Sequence, residues 1–158
     1  MTSLASPTPG PIPGSYWIVA DRFAAGPHPS ERTVDLRLAG LDTVFDLTES
    51  GERNDGARGA IRYPIPDLGV PDVATMTMLL DEIDAALARR SGVYLHCHAG
   101  VGRTGTVVGC WLIRHGHAGP LSAVEVIARL RSGIEERPLR SPETDEQRAF
   151  VVGWGEFR

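Results

Sequence analysis

The stretch Val93-Tyr94-Leu95-His96-Cys97-His98-Ala99-Gly100-Val101-Gly102-Arg103-Thr104-Gly105-Thr106 decides how the chain folds. Val93 to Leu95 is short, apolar and rich in β-branched and aromatic character, which predicts a strand. Val107, Val108, Cys110, Trp111, Leu112 and Ile113 follow densely enough to predict a buried helix. The glycine-bearing loop between them lies at a helix start. There the first N–H groups lack intrahelical partners and the helix dipole is positive, so the junction favours an anion. One thiol, Cys97, opens this loop, and one guanidinium, Arg103, closes it. The same surroundings favour the thiolate over the thiol at Cys97, and hence a nucleophile.

Upstream, Tyr16 to Ala20 and Phe23 to Gly26 read as two strands, the second ending at Pro27-His28-Pro29. Ser30 is placed to cap a short helix carrying Val34, Leu36 and Leu38 and ending at Gly40. Leu41 to Leu47 reads as a buried strand, with Asp46 and Glu49 at its end either facing the pocket or, the plainer reading, serving as solvated turn residues. Glu52 to Gly59 is polar and reads as a loop. Ile61 to Ile65 is predicted as an edge strand, because Pro64 and Pro66 would damage a central one. Pro66 to Pro71 forms a loop stiff at its ends and pliable at Gly69. Asp72 is a good N-cap for a helix with Val73, Met76, Leu79, Leu80, Ile83 and Leu87 on one face, and Gly92 ends it.

Downstream, Ser122 with Glu125 predicts a capping box for a helix running to Gly133. A last helix is predicted from Ser141-Pro142, with Phe150, Val151 and Trp154 turned inward. Strands separated by helices imply an α/β architecture, a central largely parallel sheet flanked by helices. The Cys97 loop then sits at the carboxyl edge of a strand, where open α/β sheets bind ligands.

Residues 1–14 hold Pro7, Pro9, Pro11 and Pro13 and are expected as a flexible tail, leaving one domain over 15–158. The net charge of -4 gives no basic surplus for non-specific nucleic-acid binding. Every basic side chain other than histidine is an arginine, so any such contact to phosphate is a guanidinium fork. Two cysteines are too few for a disulfide framework and suit a reducing, cytoplasmic setting. No apolar run approaches the roughly eighteen residues of a membrane span.

His96-Cys97 through Arg103-Thr104-Gly105 resembles the H-C-x5-R-[ST] signature of the cysteine-dependent protein tyrosine phosphatases. The compact chain resembles the small dual-specificity branch of bacterial type. Tyr63 to Pro71 resembles the general-acid loop of that branch, and Glu143 to Val151 the helical segment closing the site. The resemblance implies a protein tyrosine phosphatase-like fold and hydrolysis of phosphate monoesters on protein or peptide side chains. Cys97 would attack phosphorus to form a phosphocysteine. The main-chain N–H groups of His98, Ala99, Gly100, Val101, Gly102 and Arg103 would cradle the oxygens, with Arg103 also gripping them. Thr104 would donate its hydroxyl to the cysteine sulfur. Asp67 would protonate the leaving oxygen and then act as base toward water. His96 would orient the loop from behind. No metal, other cofactor, nucleic acid or membrane is implied, and a monomer suffices.

Other residues have plainer readings. Asp72 competes with Asp67 as the acid but suits an N-cap better. Gln147 either positions the hydrolytic water or is a surface glutamine. His28, His115 and His117 read as surface residues, and Cys110 as core. A lipid-directed relative would carry lysines in the loop, and this chain has none there. Two other readings stand beside the phosphatase: a phosphoprotein-binding module of weak activity, and a thiol enzyme of the sulfurtransferase or arsenate reductase kind.

Overall fold

The computed structural model describes residues 2–52, 59–134 and 140–155. Five strands form one sheet: β1 (Tyr16–Val19), β2 (Phe23–Gly26), β3 (Thr43–Asp46), β4 (Ile61–Arg62) and β5 (Val93–His96). Their order is β1-β2-β5-β3-β4. Only the β1–β2 pair is antiparallel, so the sheet is mixed but largely parallel. β5 is central and buried along its whole length, which is why its sequence reads as a continuous apolar run. β4 lies at the sheet edge and ends at Arg62, shorter than the Ile61 to Ile65 run predicted, with Pro64 and Pro66 just beyond it.

Five helices accompany the sheet: α1 (Thr33–Leu38), α2 (Val73–Ala88), α3 (Gly102–Arg114), α4 (Ala123–Leu130) and α5 (Asp145–Trp154). Strand alternation divides the core between the two faces. Phe23, Ala25, Phe45, Val93 and Leu95 share one cluster with residues of α2, α3, α4 and α5. Ala24, Val44 and Tyr94 face the other way, onto Leu36, Leu41 and Ile12. Residues Gly102 to Ile113 of α3 are all buried, so the helix that follows the Cys97 loop is fixed on every side.

The register brings the strand ends to one level: His96 of β5 lies opposite Gly26 of β2 and Asp46 of β3, and Asp46 lies opposite Arg62. The chain leaves β5 from this edge into the Cys97 loop.

Several local expectations are corrected. Residues expected as a flexible tail lie along β1 instead: Ala5 N–H donates to Ile18 O at 2.8 Å, Trp17 N–H to Thr8 O at 3.3 Å, and Ile12 is buried. Prolines tolerate this place because an edge needs only alternate N–H groups, and the segment covers an otherwise open strand. Ser30 takes a left-handed φ of 52° and does not cap α1. The left-handed position after α2 falls on Arg90, not Gly92. Gly92 is needed for close approach, since a Cβ there would lie 2.1 Å from Gly40 O. The Ser122–Glu125 box does not form, because the Ser122 hydroxyl accepts from Gly119 N–H at 2.9 Å. α5 begins later than predicted, with Thr144 as N-cap and Gln147 completing a capping box. Most of the loop expected between Glu52 and Gly59 lies outside the described residues. Among those described, no helix is long and apolar enough to cross a membrane.

Candidate active site

Cys97 follows β5 directly and is 3% exposed. The Thr104 side chain, at the head of α3, points back along the helix as helical side chains do, and its Oγ1 donates to Cys97 Sγ at 3.0 Å. The chain between them curls through Gly100, whose φ is 76°. A Cβ there would come within 2.3 Å of the Gly26 carbonyl carbon, so only glycine lets the loop lie against the end of β2. His28 N–H donates to His98 O at 2.9 Å, and Ser141 Oγ donates to Val101 O, so the loop is pinned from both flanks. His98 and Ala99 are exposed, whereas Val101 and Gly102 are buried.

His96 is fully buried behind the loop. Its Nδ1 lies 3.0 Å from Cys97 O. A carbonyl oxygen only accepts, so Nδ1 carries the proton. Burial pushes the His96 pKa down to about 4, which leaves the ring neutral at physiological pH. Its Nε2 has no hydrogen-bond partner among the described residues. Asp46 is not a solvated turn residue: it is 4% exposed. Its Oδ1 accepts from Thr48 N–H and Oγ1, and its Oδ2 pairs with Arg62 at 3.1 Å. Nor is His28 at the surface, for its ring packs edge-on against His96 at 5.0 Å.

Arg103 is 2% exposed and joins the loop to the opposite wall. Its Nη1 donates to Glu52 Oε2 at 2.8 Å and to Ile65 O at 3.1 Å, and its Nη2 to Glu52 Oε1 at 2.9 Å. This fork holds the Glu52 carboxyl at about 2, ionised at any physiological pH. Asp67 Oδ1 lies 3.4 Å from Arg103 Nη2, and its side chain is 67% exposed. Asp72 caps α2 instead, accepting from Thr75 N–H at 2.7 Å.

Gln147 is fully buried, which corrects the surface alternative. Its Oε1 accepts from the N–H groups of Glu143 and Thr144, both at 3.1 Å, and its Nε2 donates to Gly69 O at 3.2 Å. Cys110 is buried in α3, and burial pushes its thiol far up. Sequence reasoning missed Glu52, which it left inside a polar loop, and Thr144. The Thr144-x-x-Gln147 spacing is a readable capping-box signal. Glu52 carries none, because its partner is distant in sequence.

A thiol at the end of a parallel strand, a glycine turn, and an arginine and hydroxyl at the head of the next helix define the class of cysteine-dependent phosphatases. The chain belongs to the family described as "Polymorphic toxin system, DSP-PTPase phosphatase", whose model matches residues 28–117, more than half of its length. It is similar to Tk-PTP in its active form, with 28% identity and a TM-score of 0.76, covering 91% of this chain and 97% of that one. Phosphatidylglycerophosphatase and protein-tyrosine phosphatase 1 of Rattus norvegicus is 46% identical over 101 residues, 61% of this chain and 51% of the relative. Dual specificity protein phosphatase CDC14B of Mus musculus is 37% identical over 133 residues, 73% of this chain and 26% of the relative. The chain spans about half the length, or less, of the curated relatives it matches.

Proposed function

We propose that the chain hydrolyses phosphate monoesters on protein side chains, phosphotyrosine first and phosphoserine or phosphothreonine with it, through a phosphocysteine at Cys97. The observation that carries this reading is the hydrogen bond of 3.0 Å from Thr104 Oγ1 to Cys97 Sγ, made beside the buried Arg103 guanidinium. Cys97 Sγ attacks phosphorus while the loop N–H groups from His98 to Arg103, and the Arg103 guanidinium N–H groups not spent on Glu52 and Ile65, take up the charge on the phosphoryl oxygens. The P–O bond breaks, and the leaving oxygen takes a proton from Asp67. Of the two carboxyls that touch Arg103, Glu52 is held ionised with a pKa of about 2 and has no proton to give near neutrality. Asp67, exposed and beside Arg103 on the turn that resembles the general-acid loop, is assigned the donor's role. Water then attacks the phosphocysteine, Asp67 removes its proton, and the Thr104 hydroxyl stabilises the departing thiolate. His96, through its bond to Cys97 O, keeps the start of the loop in place.

The names of rat and mouse relatives pair phosphatidylglycerophosphatase with protein-tyrosine phosphatase. A protein ester is favoured here because the exposed loop positions are His98 and Ala99, and no lysine is available for an acidic headgroup. A cytoplasmic monomer, needing neither nucleic acid, membrane nor cofactor, fits the net charge of -4. The test is hydrolysis of p-nitrophenyl phosphate in the presence of a chelator, followed by a panel of phosphotyrosine, phosphothreonine and phospholipid substrates. Wild-type turnover is expected on phosphotyrosine and not on the phospholipid, and Cys97→Ser is expected to abolish it. Undiminished turnover by Cys97→Ser would sink the mechanism.

A further inference from the structure

The turn Pro66-Asp67-Leu68-Gly69 presents the proposed proton donor, yet its own residues hold it poorly. Gly69 N–H donates to Pro66 O at 2.8 Å and closes the turn. The left-handed conformation, φ 65°, falls on Leu68 and not on the glycine that follows it. A leucine is strained there and persists only where its surroundings over-determine the backbone.

Those surroundings are three side chains from two remote segments. Glu49 Oε2 accepts from Asp67 N–H at 3.2 Å, Thr144 Oγ1 donates to Leu68 O at 3.3 Å, and Gln147 Nε2 donates to Gly69 O at 3.2 Å. Three successive residues of the turn are thus each held by one side chain. The Gln147 amide has no freedom to flip. Its oxygen must face the N–H groups of Glu143 and Thr144, which leaves the NH2 for Gly69 O. Glu49 also donates its own N–H to Glu52, the carboxylate that grips Arg103. One short turn, 49–52, therefore fixes both the guanidinium and the acid.

We propose that Glu49, Thr144 and Gln147 are positioning residues that hold the Pro66–Gly69 turn so that the Asp67 carboxyl stays beside Arg103. The proposal rests on the phosphatase reading above. A positioning role for the acid has a signature that a structural role lacks. Proton donation matters most when the leaving oxygen is basic, so losing the clasp penalises poor leaving groups selectively.

The experiment measures kcat/KM on phenyl phosphate and p-nitrophenyl phosphate for wild type, Asp67→Asn, Glu49→Ala, Glu49→Gln and Thr144→Asp. Asp at 144 keeps an acceptor that caps α5 but, ionised, has no hydrogen to give to Leu68 O. Gln at 49 keeps an acceptor for Asp67 N–H. Glu49→Ala and Thr144→Asp should each lower phenyl phosphate turnover about tenfold or more and p-nitrophenyl phosphate less than about threefold. Asp67→Asn sets the ceiling of that selectivity, and Glu49→Gln should recover wild-type behaviour. Equal losses on both esters, or none on either, in variants with wild-type circular dichroism would overturn the clasp. A charge effect of Thr144→Asp alone lowers both esters alike, and Glu49→Ala adds no charge. A wild type that turns over neither ester would overturn the phosphatase reading itself, a distinguishable result.

Discussion

Two loops meet at Arg103, and they are held in opposite ways. Residues 97–104 take their course from their own succession, since a buried strand ends, a left-handed glycine turns the chain and Thr104 reaches back to Cys97, and remote contacts then pin that course. The turn 66–69 carries its left-handed residue on Leu68 and is held by Glu49, Thr144 and Gln147, which lie far from it in sequence. The turn at the proposed nucleophile is thus made by its own sequence and pinned from outside by His28 and Ser141, whereas the turn at the proposed acid depends on remote side chains. Damage to the two halves should differ in size and in kinetic character.

The largest effect is expected from one added carbon. Gly100→Ala places a Cβ 2.3 Å from the Gly26 backbone at a φ of 76°, and neither neighbour is a flexible side chain. We expect a loss of about 2–4 kcal/mol in urea unfolding and at least a hundredfold fall in kcat, the scale of an ångström's misplacement. At Gly69 the nearest atom to an added Cβ is Pro66 O at 3.1 Å, and Gly69 is not left-handed. Gly69→Ala should cost less than about 1 kcal/mol. If the two substitutions prove equally tolerated, the contrast between a self-determined loop and a clasped one fails.

The same contrast explains what was legible in the sequence. Cys97 and Arg103 could be singled out because strand, glycine and helix signals surround them within a dozen residues, and Thr104 entered through the resemblance. The parallel sheet was legible for the same reason, since β2, β4 and β5 are each followed by a helix with a pattern of its own. The place of Asp67 beside Arg103 was suggested only by resemblance, because an aspartate in a Pro/Gly loop looks like any turn former. Glu52 was not legible at all: its bidentate pairing with Arg103 joins positions that no local pattern relates. Asp46 and His28 were misread as solvent-facing because the register that brings Asp46 opposite His96 is a property of the assembled sheet. The proline-rich start was misread because composition reports the absence of a helix or central strand. It is silent on whether an extended segment can lie along an edge.

A middle-sized effect separates the two chemical steps. Thr104→Val keeps the shape of a fully buried side chain and removes the hydroxyl that donates to Cys97 Sγ. A hydrogen bond to a charged group contributes about 1.5–3 kcal/mol, so kcat should fall about tenfold to a hundredfold. In the proposed mechanism the bond serves the thiolate as it departs, so the loss should fall on breakdown of the phosphocysteine. Rapid-quench measurement should show a full burst of p-nitrophenol followed by a slow steady state, with little change in preference between phenyl and p-nitrophenyl esters. Variants of the acid clasp should show the reverse. A lost burst would place the hydroxyl's effect on the first step and blur the division between the halves.

The smallest effect tests the support behind the loop. His96 is neutral in the fold with a pKa pushed down to about 4 from 6.5 by burial, while Asp46, Arg62 and His28 surround it. Between those values the unfolded chain binds a proton that the folded chain excludes, so stability falls as pH falls. The contribution is fully present above about 6.5 and is lost as pH drops toward 4. His96→Gln retains a donor for Cys97 O and does not titrate, so its stability should change less with pH. From pH 7 to 5.5 the wild type should lose about 1 kcal/mol more than the variant, measured as the difference between their urea midpoints. Glu52 does not confuse this window, because its own contribution is lost only as pH falls from 4.5 toward about 2. Parallel pH slopes in the two proteins would mean that His96 is not the group excluding the proton, and that the loop's support does not run through a neutral imidazole.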